Sequence, residues 1–490
     1  MENKGSRIWL DLLDKVSQGL MVRTNSKMVQ PGEVFVAIPG VKVDGAAYIP
    51  DALQRGAGVV IATQPLPVGA LSPEDAGKLV IHPDPRVALG DLARAYFDTD
   101  RHSLKLVGVT GTNGKTSVSY MVEHLLASAG LKVGVLGTVS YRWPGFSLDA
   151  QLTTPDCWQI HELLANMERS DVDVVVMEVS SHALDQRRVA GLSFQAGVLT
   201  NVTQDHLDYH TDMESYFNAK SKLFFEYPSQ DKAWIVNMDD PWGRRLLAAN
   251  AKVLGFGLKE PANTVYQCLT GSILSASGKG MEMEVNFEKK SWRLTTPLIG
   301  SYNASNLLAA QAVGLKLGMN CRDMRRLASF TGAPGRLQRV ENDQDLDIFV
   351  DFAHTPDALE NVLGALRELH FNRLLVLFGC GGNRDATKRP LMGRAVARYA
   401  DAAIVTSDNP RFEHPTAIID DILPGLEGFP DVVVEVDRRM AIHMAIQRLR
   451  PGDCLLVAGK GHENYQEING VKRHFSDVEE VRNALQGKAA

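Results

Sequence analysis

The stretch from Leu106 to Ser119, LVGVTGTNGKTSVS, decides the fold of the chain around it. A short apolar run leads into a glycine-rich turn, and the turn ends in Gly-Lys-Thr at 114–116, where a helical pattern begins. A turn of this kind between a buried strand and a helix exposes backbone N–H groups and the positive end of the helix dipole, which together bind phosphate oxygens. The stretch therefore predicts a strand, a phosphate-binding loop and a helix.

The spacing departs from the common phosphate-loop pattern GxxxxGK[ST]. That pattern requires glycine at position 109, whereas this chain has Val109 and carries its glycines at 108, 111 and 114. A glycine-rich turn without a ligand is the alternative, but the order of strand, Gly-Lys-Thr and helix favours nucleotide binding. Lys115 would reach the terminal phosphates and Thr116 a magnesium ion. The predicted ATP contacts in the loop are Gly111, Thr112, Asn113, Gly114, Lys115 and Thr116.

Length and composition limit the possible classes of protein. The 490 residues exceed what one hydrophobic core holds, about 250 to 300, so two or three domains are expected. A net charge of −6 without a long Lys/Arg run argues against nucleic-acid binding. Small-molecule partners are therefore expected.

The cysteines and the chain start indicate the compartment. Five widely separated cysteines without a CxxC pair argue against a disulfide framework and a structural zinc site, and they fit a reducing compartment. The first twenty residues read as an amphipathic helix, not as a signal peptide. No stretch approaches the roughly 20 apolar residues of a membrane span. We expect a cytoplasmic protein without a membrane span.

The pattern of apolar runs divides the chain into three α/β parts. Residues 24–100 alternate short strands and helices, and from Lys105 buried strands alternate with helices as in a parallel sheet covered on both faces. Residues 263–300 alternate polar and apolar positions, which predicts an antiparallel insert. The α/β rhythm restarts at 347. The predicted domains are 1–102, 103–335 (doubly wound, with the phosphate loop) and 336–490 (Rossmann-like).

In the central part, ionisable side chains follow two buried strands and also lie on the helix after the second strand. Glu178 ends the apolar run VDVVVME, and such a carboxylate is costly unless it meets a cation, so we expect it to bind a metal. The next run ends in a cluster of Asp205, His206, Asp208 and His210, which could equally be a solvated loop. The helix after it carries Lys220 and Lys222, and composition alone makes both surface lysines.

In the last domain, arginines follow two buried strands. Arg384 lies in GCGGNRD and Arg411 in DNPR, at the edge of the sheet where ligands of doubly wound folds collect. Two solvated loop arginines are the alternative reading of each motif taken singly.

Four motifs together resemble the Mur ligases: GTNGKT, MEVSSHALDQRR, TNVTQDHLDYH and YFNAKSKLF. The N-terminal segment NSKMVQPGEVFVAIPGVKVDG is similar to the UDP-binding domain of the MurE-type members in particular. The resemblance covers essentially the whole chain, whereas folylpolyglutamate synthetases share only the central and last domains. It implies a UDP-binding domain, an ATPase domain and an amino-acid-binding domain, in that order.

The resemblance also implies roles for single residues. It implies that Lys220 is carbamylated with CO₂ and holds Mg²⁺ together with Thr116, Glu178 and His206; Lys115 is implied to be catalytic and Asn303 to contact ATP. The residues that it aligns with contacts to the UDP-muramoyl dipeptide are Ser26, Thr153, Thr154, Ser180, Gln186 and Arg188. The residues that it aligns with diaminopimelate contacts are Arg384, Asp408, Asn409, Pro410, Arg411, Gly459 and Glu463.

The activity that the resemblance implies is an ATP-dependent amide ligation in peptidoglycan precursor synthesis. The D-glutamyl γ-carboxylate would become an acyl phosphate, which the amine of meso-diaminopimelate would attack. A lysine-adding ligase is one alternative, which Arg411 argues against because its guanidinium matches the extra carboxylate of diaminopimelate. A regulatory protein that binds nucleotide without catalysis is another, which the complete metal set argues against. A monomer is expected.

Overall fold

The computed structural model describes residues 2–40, 43–67, 70–207, 209–249, 253–260 and 266–487, so Asp208 of the predicted acidic cluster lies outside the described residues. The helices are α1 (Glu2–Ser17), α2 (Ile49–Gln54), α3 (Pro73–Ala76), α4 (Pro85–Phe97), α5 (Lys115–Ser128), α6 (Cys157–Arg169), α7 (Ser181–Asp185), α8 (Met213–Phe225), α9 (Pro241–Ala249), α10 (Ser301–Lys316), α11 (Pro356–Arg367), α12 (Lys388–Tyr399), α13 (Pro415–Ile422), α14 (Arg438–Gln447) and α15 (Asp477–Leu485).

The strands alternate with these helices along most of the chain. They are β1 (Val22–Arg23), β2 (Val34–Val36), β3 (Val59–Ala62), β4 (Leu79–Ile81), β5 (Lys105–Thr110), β6 (Val133–Leu136), β7 (Ser140–Trp143), β8 (Phe146–Asp149), β9 (Val174–Glu178), β10 (Phe194–Leu199), β11 (Pro228–Asn237), β12 (Val253–Gly257), β13 (Gln267–Ser277), β14 (Gly280–Phe287), β15 (Lys290–Thr296), β16 (Gln338–Arg339), β17 (Asp347–Asp351), β18 (Leu374–Phe378), β19 (Ala402–Val405), β20 (Val432–Val434), β21 (Cys454–Ala458), β22 (Tyr465–Ile468) and β23 (Val471–His474).

The chain folds into two compact units. Unit 1 comprises Met1–Gly111, Ala129–Leu199 and His206–Trp234, and unit 2 comprises Thr112–Ser128, Thr200–Asp205 and Ile235–Ala490. The chain therefore passes from one unit to the other within the phosphate loop. In the part of the chain that the structure describes, no helix is long and apolar enough to cross a membrane.

Unit 1 contains the small N-terminal sheet, in which β1 to β4 follow one another in order and pair in parallel. Its core is formed by strand residues such as Val34, Val36 and Ile61 against Leu89 and Leu92 of α4. The predicted α/β pattern of residues 24–100 thus forms a sheet packed against helices.

Unit 1 also contains the parallel strands β10, β5, β9 and β6, hydrogen-bonded in that order, with β7 and β8 added antiparallel. The chain runs from β5 to β6 on one side of β5 and later to β10 on its other side, so β5 lies where the strand order reverses. Doubly wound sheets bind their ligands at the carboxyl ends of the strands at this point. Glu178 is in register with Val109 there, and Leu199 with Thr110.

Unit 2 contains the predicted antiparallel insert and the last domain. β12 pairs in parallel with β13, whereas β13, β14 and β15 pair antiparallel. The last sheet has the order β16-β17-β21-β18-β19-β20, and all of it is parallel except β16. Buried apolar residues fill both faces of this sheet, as the continuous apolar runs of its strands predict.

Candidate active site

The phosphate loop is held by the chain segment after β10. The backbone N–H of Thr112 donates to the carbonyl of Asn201 at 2.9 Å, and that of Asn113 donates to the Asn201 side-chain oxygen at 2.9 Å. Thr200 and Asn201 both donate to the carbonyl of Asn113, at 2.6 and 3.1 Å. Lys115 curls back onto the loop and donates to the Thr112 carbonyl at 2.9 Å. The loop shape is thus fixed within unit 2.

The loop glycines have backbone conformations that side chains disfavour. Gly111 has φ +145° and Gly114 has φ +86°, and α5 begins directly after Gly114. Positive φ at two glycines before a helix N-terminus is consistent with a phosphate-binding turn even though Val109 breaks the usual spacing.

Glu178 lies at the carboxyl end of β9 and is 1% exposed. Thr138 donates to both of its carboxylate oxygens, from the backbone N–H at 3.1 Å and from the hydroxyl at 2.8 Å. A Cβ at Gly137 would lie 2.3 Å from one of these oxygens, so only glycine allows the carboxylate to approach this turn. The structure therefore holds a buried carboxylate in a fixed orientation beside the strand that leads into the phosphate loop.

Lys220 is also buried in unit 1, contrary to what composition alone predicts for it. It is 1% exposed, its Nζ donates to the Gly111 carbonyl at 3.0 Å, and Nζ lies 4.2 Å from the ring centre of Tyr216. Lys222 instead pairs with Asp185 at 3.1 Å at the surface. The sequence holds a signal for the difference, because Tyr216, Lys220 and Phe224 follow each other at helical spacing and all three are buried.

The predicted metal ligands belong to different parts of the fold. Glu178, His206 and Lys220 belong to unit 1 and Thr116 to unit 2, and His206 is exposed, with its ring 4.8 Å from that of His182. Among the described residues, no three His, Cys, Asp or Glu side chains form a metal-binding group. That finding does not test the predicted metal ligands, because only two of the four, Glu178 and His206, are His, Cys, Asp or Glu. A buried carboxylate and a buried lysine that could become a carbamate suit a hard cation such as Mg²⁺.

Five of the predicted dipeptide-binding residues form one hydrogen-bonded group at the end of β9. Arg188 donates to the Thr154 carbonyl at 3.0 Å and to the Gln186 side-chain oxygen at 2.8 Å. The Thr154 hydroxyl accepts from the Ser180 backbone N–H at 3.1 Å, and Thr153 bonds to the Thr138 hydroxyl at 3.1 Å. The group is thus linked through Thr138 to the carboxylate of Glu178.

Two predicted contacts lie elsewhere. Ser26 is buried in the N-terminal sheet region, where it starts the short 3₁₀ turn Ser26–Met28. Asn303 is buried in α10 and its side chain donates to the Ile299 carbonyl at 2.9 Å. The roles assigned to both residues stay predictions.

The predicted amino-acid contacts come together at the carboxyl ends of β18, β19 and β21. Asp408 and Asn409 are buried, and Asn409 donates to the Glu463 carboxylate at 2.8 Å. A Cβ at Gly459 would lie 3.3 Å from Asp408, so Gly459 borders the same space. Pro410 is buried beside them. Burial raises the pKa of the Glu463 carboxyl.

The two arginines flank Gly381 in this pocket. A Cβ at Gly381 would lie 3.0 Å from Nη1 of Arg411 and 3.9 Å from Cγ of Arg384. Arg411 has φ +53°, donates from Nη1 to the Gly382 carbonyl at 2.9 Å and pairs through Nε with Glu467 at 3.4 Å. Arg411 thus has a charge partner of its own, Glu467 of the β22–β23 hairpin, so a lysine substrate would not leave its guanidinium without one.

Sequence reasoning missed two charged residues, Lys460 in the amino-acid pocket and Arg336 beside the phosphate loop. Lys460 is 0% exposed and contacts Asn409 and Glu463 at 3.2 and 3.3 Å. Arg336 donates to the Thr116 hydroxyl at 3.5 Å, and its guanidinium lies 4.9 Å from the Phe352 ring centre. Lys460 follows the apolar run CLLVAG as Glu178 follows VDVVVM, so the same argument could have found it. Nothing in the local pattern marks Arg336, which the sequence places only at a domain boundary.

Comparison with known proteins identifies the family. Residues 20–97 match the model described as Mur ligase family, catalytic domain; residues 109–314 match Mur ligase middle domain; and residues 335–461 match Mur ligase, glutamate ligase domain. The chain belongs to the Mur ligase family. The predicted family and the predicted three-domain α/β fold are thus confirmed, and so is the ligase class.

Two relatives with the same name illustrate the similarity. A UDP-N-acetylmuramoyl-L-alanyl-D-glutamate--2,6-diaminopimelate ligase of Lawsonia intracellularis is 50% identical over 468 residues, which covers 95% of this chain and 96% of the relative. The ligase of that name from Gloeobacter violaceus is 44% identical, covering 94% of this chain and 93% of the relative. The MurE-type resemblance of the N-terminal segment agrees with these names.

Solved structures of Mur ligases superpose on the whole chain. A structure of a UDP-N-acetylmuramoyl-L-alanyl-D-glutamate--2,6-diaminopimelate ligase has a TM-score of 0.69 at 32% identity, covering 96% of this chain and 95% of its own. MurF of Thermotoga maritima in complex with ADP has a TM-score of 0.59 at 19% identity, covering 98% of each chain, and shows the shared fold.

Proposed function

We propose that the protein is an ATP-dependent ligase that joins meso-diaminopimelate to the D-glutamyl γ-carboxylate of UDP-N-acetylmuramoyl-L-alanyl-D-glutamate. The pocket around Asp408, Arg411 and Glu463 carries the proposal, because it offers charges of both signs to an amino acid that has a carboxylate and an ammonium at each end. The names of relatives up to 50% identical support the same substrates.

The chain's own residues have defined tasks in the proposed reaction. The loop from Gly111 to Thr116 binds the ATP phosphates, and Lys115 neutralises charge on the phosphoryl group as it moves to the γ-carboxylate. Arg336 adds a second cation at Thr116, and its Nε is buried without a hydrogen-bond partner among the described residues, which suits an anionic ligand. The diaminopimelate amine then attacks the acyl phosphate and phosphate leaves.

Mg²⁺ is proposed as the metal, held by Thr116, Glu178, His206 and carbamylated Lys220. When bound, it supplies positive charge to the transferring phosphoryl group. The carbamate forms when the neutral Lys220 amine adds to CO₂ and loses a proton, which converts a cation into an oxygen ligand of the kind that Mg²⁺ prefers. The burial of Lys220 and its hydrogen bond to the Gly111 carbonyl at 3.0 Å support this assignment, because they hold its Nζ against the phosphate loop.

The sugar-nucleotide substrate is proposed to contact two regions of unit 1. Ser26 serves the UDP end, while Thr153, Thr154, Ser180, Gln186 and Arg188 serve the muramoyl dipeptide. The hydrogen bonds that link the second group to Thr138 support this proposal, since Thr138 also fixes Glu178. We further propose ATP contact by Asn303, the domain boundaries 1–102, 103–335 and 336–490, a cytoplasmic location and a monomer.

An ATP-dependent ligation assay across a panel of amino acids, with the UDP-muramoyl dipeptide as the acyl donor, tests the function. We expect ADP and ligated product in equal amounts, and only with diaminopimelate, the dipeptide and Mg²⁺ all present. The kcat/KM for diaminopimelate should exceed that for lysine by about a hundredfold or more, because the far carboxylate gains a charge-assisted bidentate contact with Arg411. Equal turnover with lysine would favour a lysine-adding ligase, and nucleotide binding without ligation would favour a regulatory protein.

A further inference from the structure

A fully buried lysine lies beneath the proposed amino-acid pocket. Lys460 follows β21 and is 0% exposed. Its Nζ donates to the Asn409 side-chain oxygen at 3.2 Å and to the Glu463 carboxylate at 3.3 Å, and it lies 3.6 Å from Oδ1 of Asp408. Each of these three neighbours is a residue to which a diaminopimelate contact is assigned. Lys460 itself has no assigned role.

The contacts around Lys460 connect the separate parts of the pocket. Asn409 donates to the same Glu463 oxygen at 2.8 Å, and its own side-chain oxygen accepts from the Glu467 backbone N–H at 2.9 Å. Lys460 and Asn409 thus fix Glu463 from two sides and join it to the hairpin that pairs with Arg411.

One carboxylate oxygen of Asp408 takes no part in this hydrogen-bond network. Oδ1 of Asp408 is buried and has no hydrogen-bond partner among the described residues, although the Lys460 ammonium lies 3.6 Å away. A buried carboxylate oxygen without a donor is costly, and an ammonium group of a ligand would satisfy it. Lys460 reduces that cost before the ligand arrives because it supplies positive charge nearby.

A second buried cation sits behind the same strand ends. Arg438 is fully buried and binds Asp477 through two hydrogen bonds of 2.7 Å. It also donates to the carbonyls of Ser407 and Ala458, which immediately precede Asp408 and Gly459, at 3.5 and 2.9 Å. Arg438 shares its charge with Asp477, whereas the ammonium of Lys460 is hydrogen-bonded directly to Glu463.

We propose that Lys460 is a positioning residue for the amino-acid substrate: its ammonium holds the Glu463 carboxylate and the Asn409 amide in place and lies beside Asp408, whose Oδ1 receives an ammonium group of diaminopimelate. The proposal rests on the assignment of this pocket to the amino acid. The hydrogen bonds of Lys460 are to residues assigned to diaminopimelate, so we expect its loss to affect the KM for that substrate selectively.

The variant Lys460→Met tests the proposal, because methionine fills similar space without charge. We expect the KM for diaminopimelate to rise at least thirtyfold, with the KM values for ATP and the UDP-muramoyl dipeptide within twofold of the wild type. Lys472→Met is the matched control, since the Tyr465 ring centre lies 5.5 Å from Nζ of Lys460 and 4.1 Å from Nζ of the exposed Lys472, and it should leave all three KM values unchanged. Unchanged KM for diaminopimelate in Lys460→Met, or an equal rise in all three, overturns the proposal.

The pH dependence gives a readout that a merely structural lysine would not change. Burial and Asp408 raise the pKa of Glu463, whereas Lys460 and the Asn409 hydrogen bond lower it; Arg438 also faces this group. Without Lys460 the pKa of Glu463 rises further, so the carboxylate takes up its proton at higher pH. As the pH is lowered, the KM for diaminopimelate should therefore begin to rise at a higher pH in Lys460→Met than in the wild type. Coincident pH profiles of the two proteins would contradict the proposal.

A second background keeps the test decisive if Lys460→Met does not fold. The double variant of Lys460→Met with Glu463→Gln has one buried carboxylate fewer than Lys460→Met and should fold. Its KM for diaminopimelate should exceed that of Glu463→Gln by about three- to tenfold, because the contacts of Lys460 with Asp408 and Asn409 are lost but its task at Glu463 is already absent. A rise of thirtyfold or more over Glu463→Gln, or no rise at all, would overturn the proposal. Failure of the wild type to ligate diaminopimelate refutes the proposed function instead, which separates the two conclusions.

Discussion

At the scale of single residues, Lys220 and Lys222 show how two neighbouring lysines on one helix differ. Residues two apart on a helix point about 200° apart, so one face of α8 is buried and the other meets solvent. Lys220 lies with Tyr216 and Phe224 on the buried face, whereas Lys222 pairs with Asp185. The buried position holds Lys220 against the Gly111 carbonyl of the phosphate loop, and the chemical task proposed for Lys220 follows from that position.

Replacement of Lys220 by alanine should abolish ligation, with a loss of at least about a thousandfold in kcat. The physical reason is the loss of an anionic oxygen ligand for Mg²⁺, so acetate or formate at high concentration should restore part of the activity by entering the vacated space. Lys222→Ala is the control and should keep kcat within about twofold, because exposed ion pairs contribute roughly 0 to 1 kcal/mol. Full activity of Lys220→Ala, measured as ADP and product release, would rule out its assignment.

At the scale of elements, the β22–β23 hairpin is the part of the pocket that positions Arg411. Arg411 donates its backbone N–H to Glu467 and accepts from Asn469, at 3.0 and 2.7 Å. These bonds hold Arg411 in its left-handed conformation of φ +53°. The tight turn of the hairpin is Asn469-Gly470, with φ of +50° and +75°, the combination typical of a two-residue hairpin loop.

The variant Gly470→Val should loosen this hairpin and raise the KM for diaminopimelate about tenfold, while the KM for ATP stays unchanged. A β-branched residue at φ +75° is strained by roughly 1 to 3 kcal/mol, and its Cβ would lie 3.2 Å from the Phe412 ring. Gly428→Val is the matched control, with φ +76° and no heavy atom within 4 Å of the added Cβ. Equal KM values for diaminopimelate in the two variants would argue against a role of the hairpin in binding.

Helices and strands could be predicted from the sequence because their patterns are local. The side-chain contacts of the site could not, because they depend on tertiary packing. The apolar run before Glu178 and the alternation in residues 263–300 correctly indicated a buried strand end and an antiparallel insert. Thr138, however, reaches Glu178 across 40 residues of chain. Glu467 likewise reaches Arg411 only because β22 pairs beside the DNPR segment. No spacing rule within one segment encodes such contacts.

At the scale of the whole molecule, Arg336 connects the phosphate loop with the last domain. It follows the predicted boundary at 335, and within unit 2 it contacts Thr116 at the start of α5 and the Phe352 ring after β17. A second contact crosses the same boundary, because Asp357 of α11 accepts from Asn113 and Thr203 at 3.1 and 3.2 Å. The last domain therefore contributes directly to the nucleotide-binding loop in unit 2.

The variant Arg336→Ala should raise the KM for ATP at least tenfold and leave the KM for diaminopimelate within twofold. The Arg336 guanidinium lies next to the phosphate loop and carries a positive charge. Its buried Nε has no hydrogen-bond partner among the described residues. A charge-assisted hydrogen bond to phosphate contributes about 1.5 to 3 kcal/mol. Arg339→Ala removes a nearby guanidinium that pairs with Asp347 at 2.9 Å, and it should leave the KM for ATP unchanged. Steady-state kinetics with each substrate varied in turn distinguishes the two. An unchanged KM for ATP in Arg336→Ala would mean that Arg336 only joins the domains, in which case both variants would lower the melting temperature without a selective effect on any substrate.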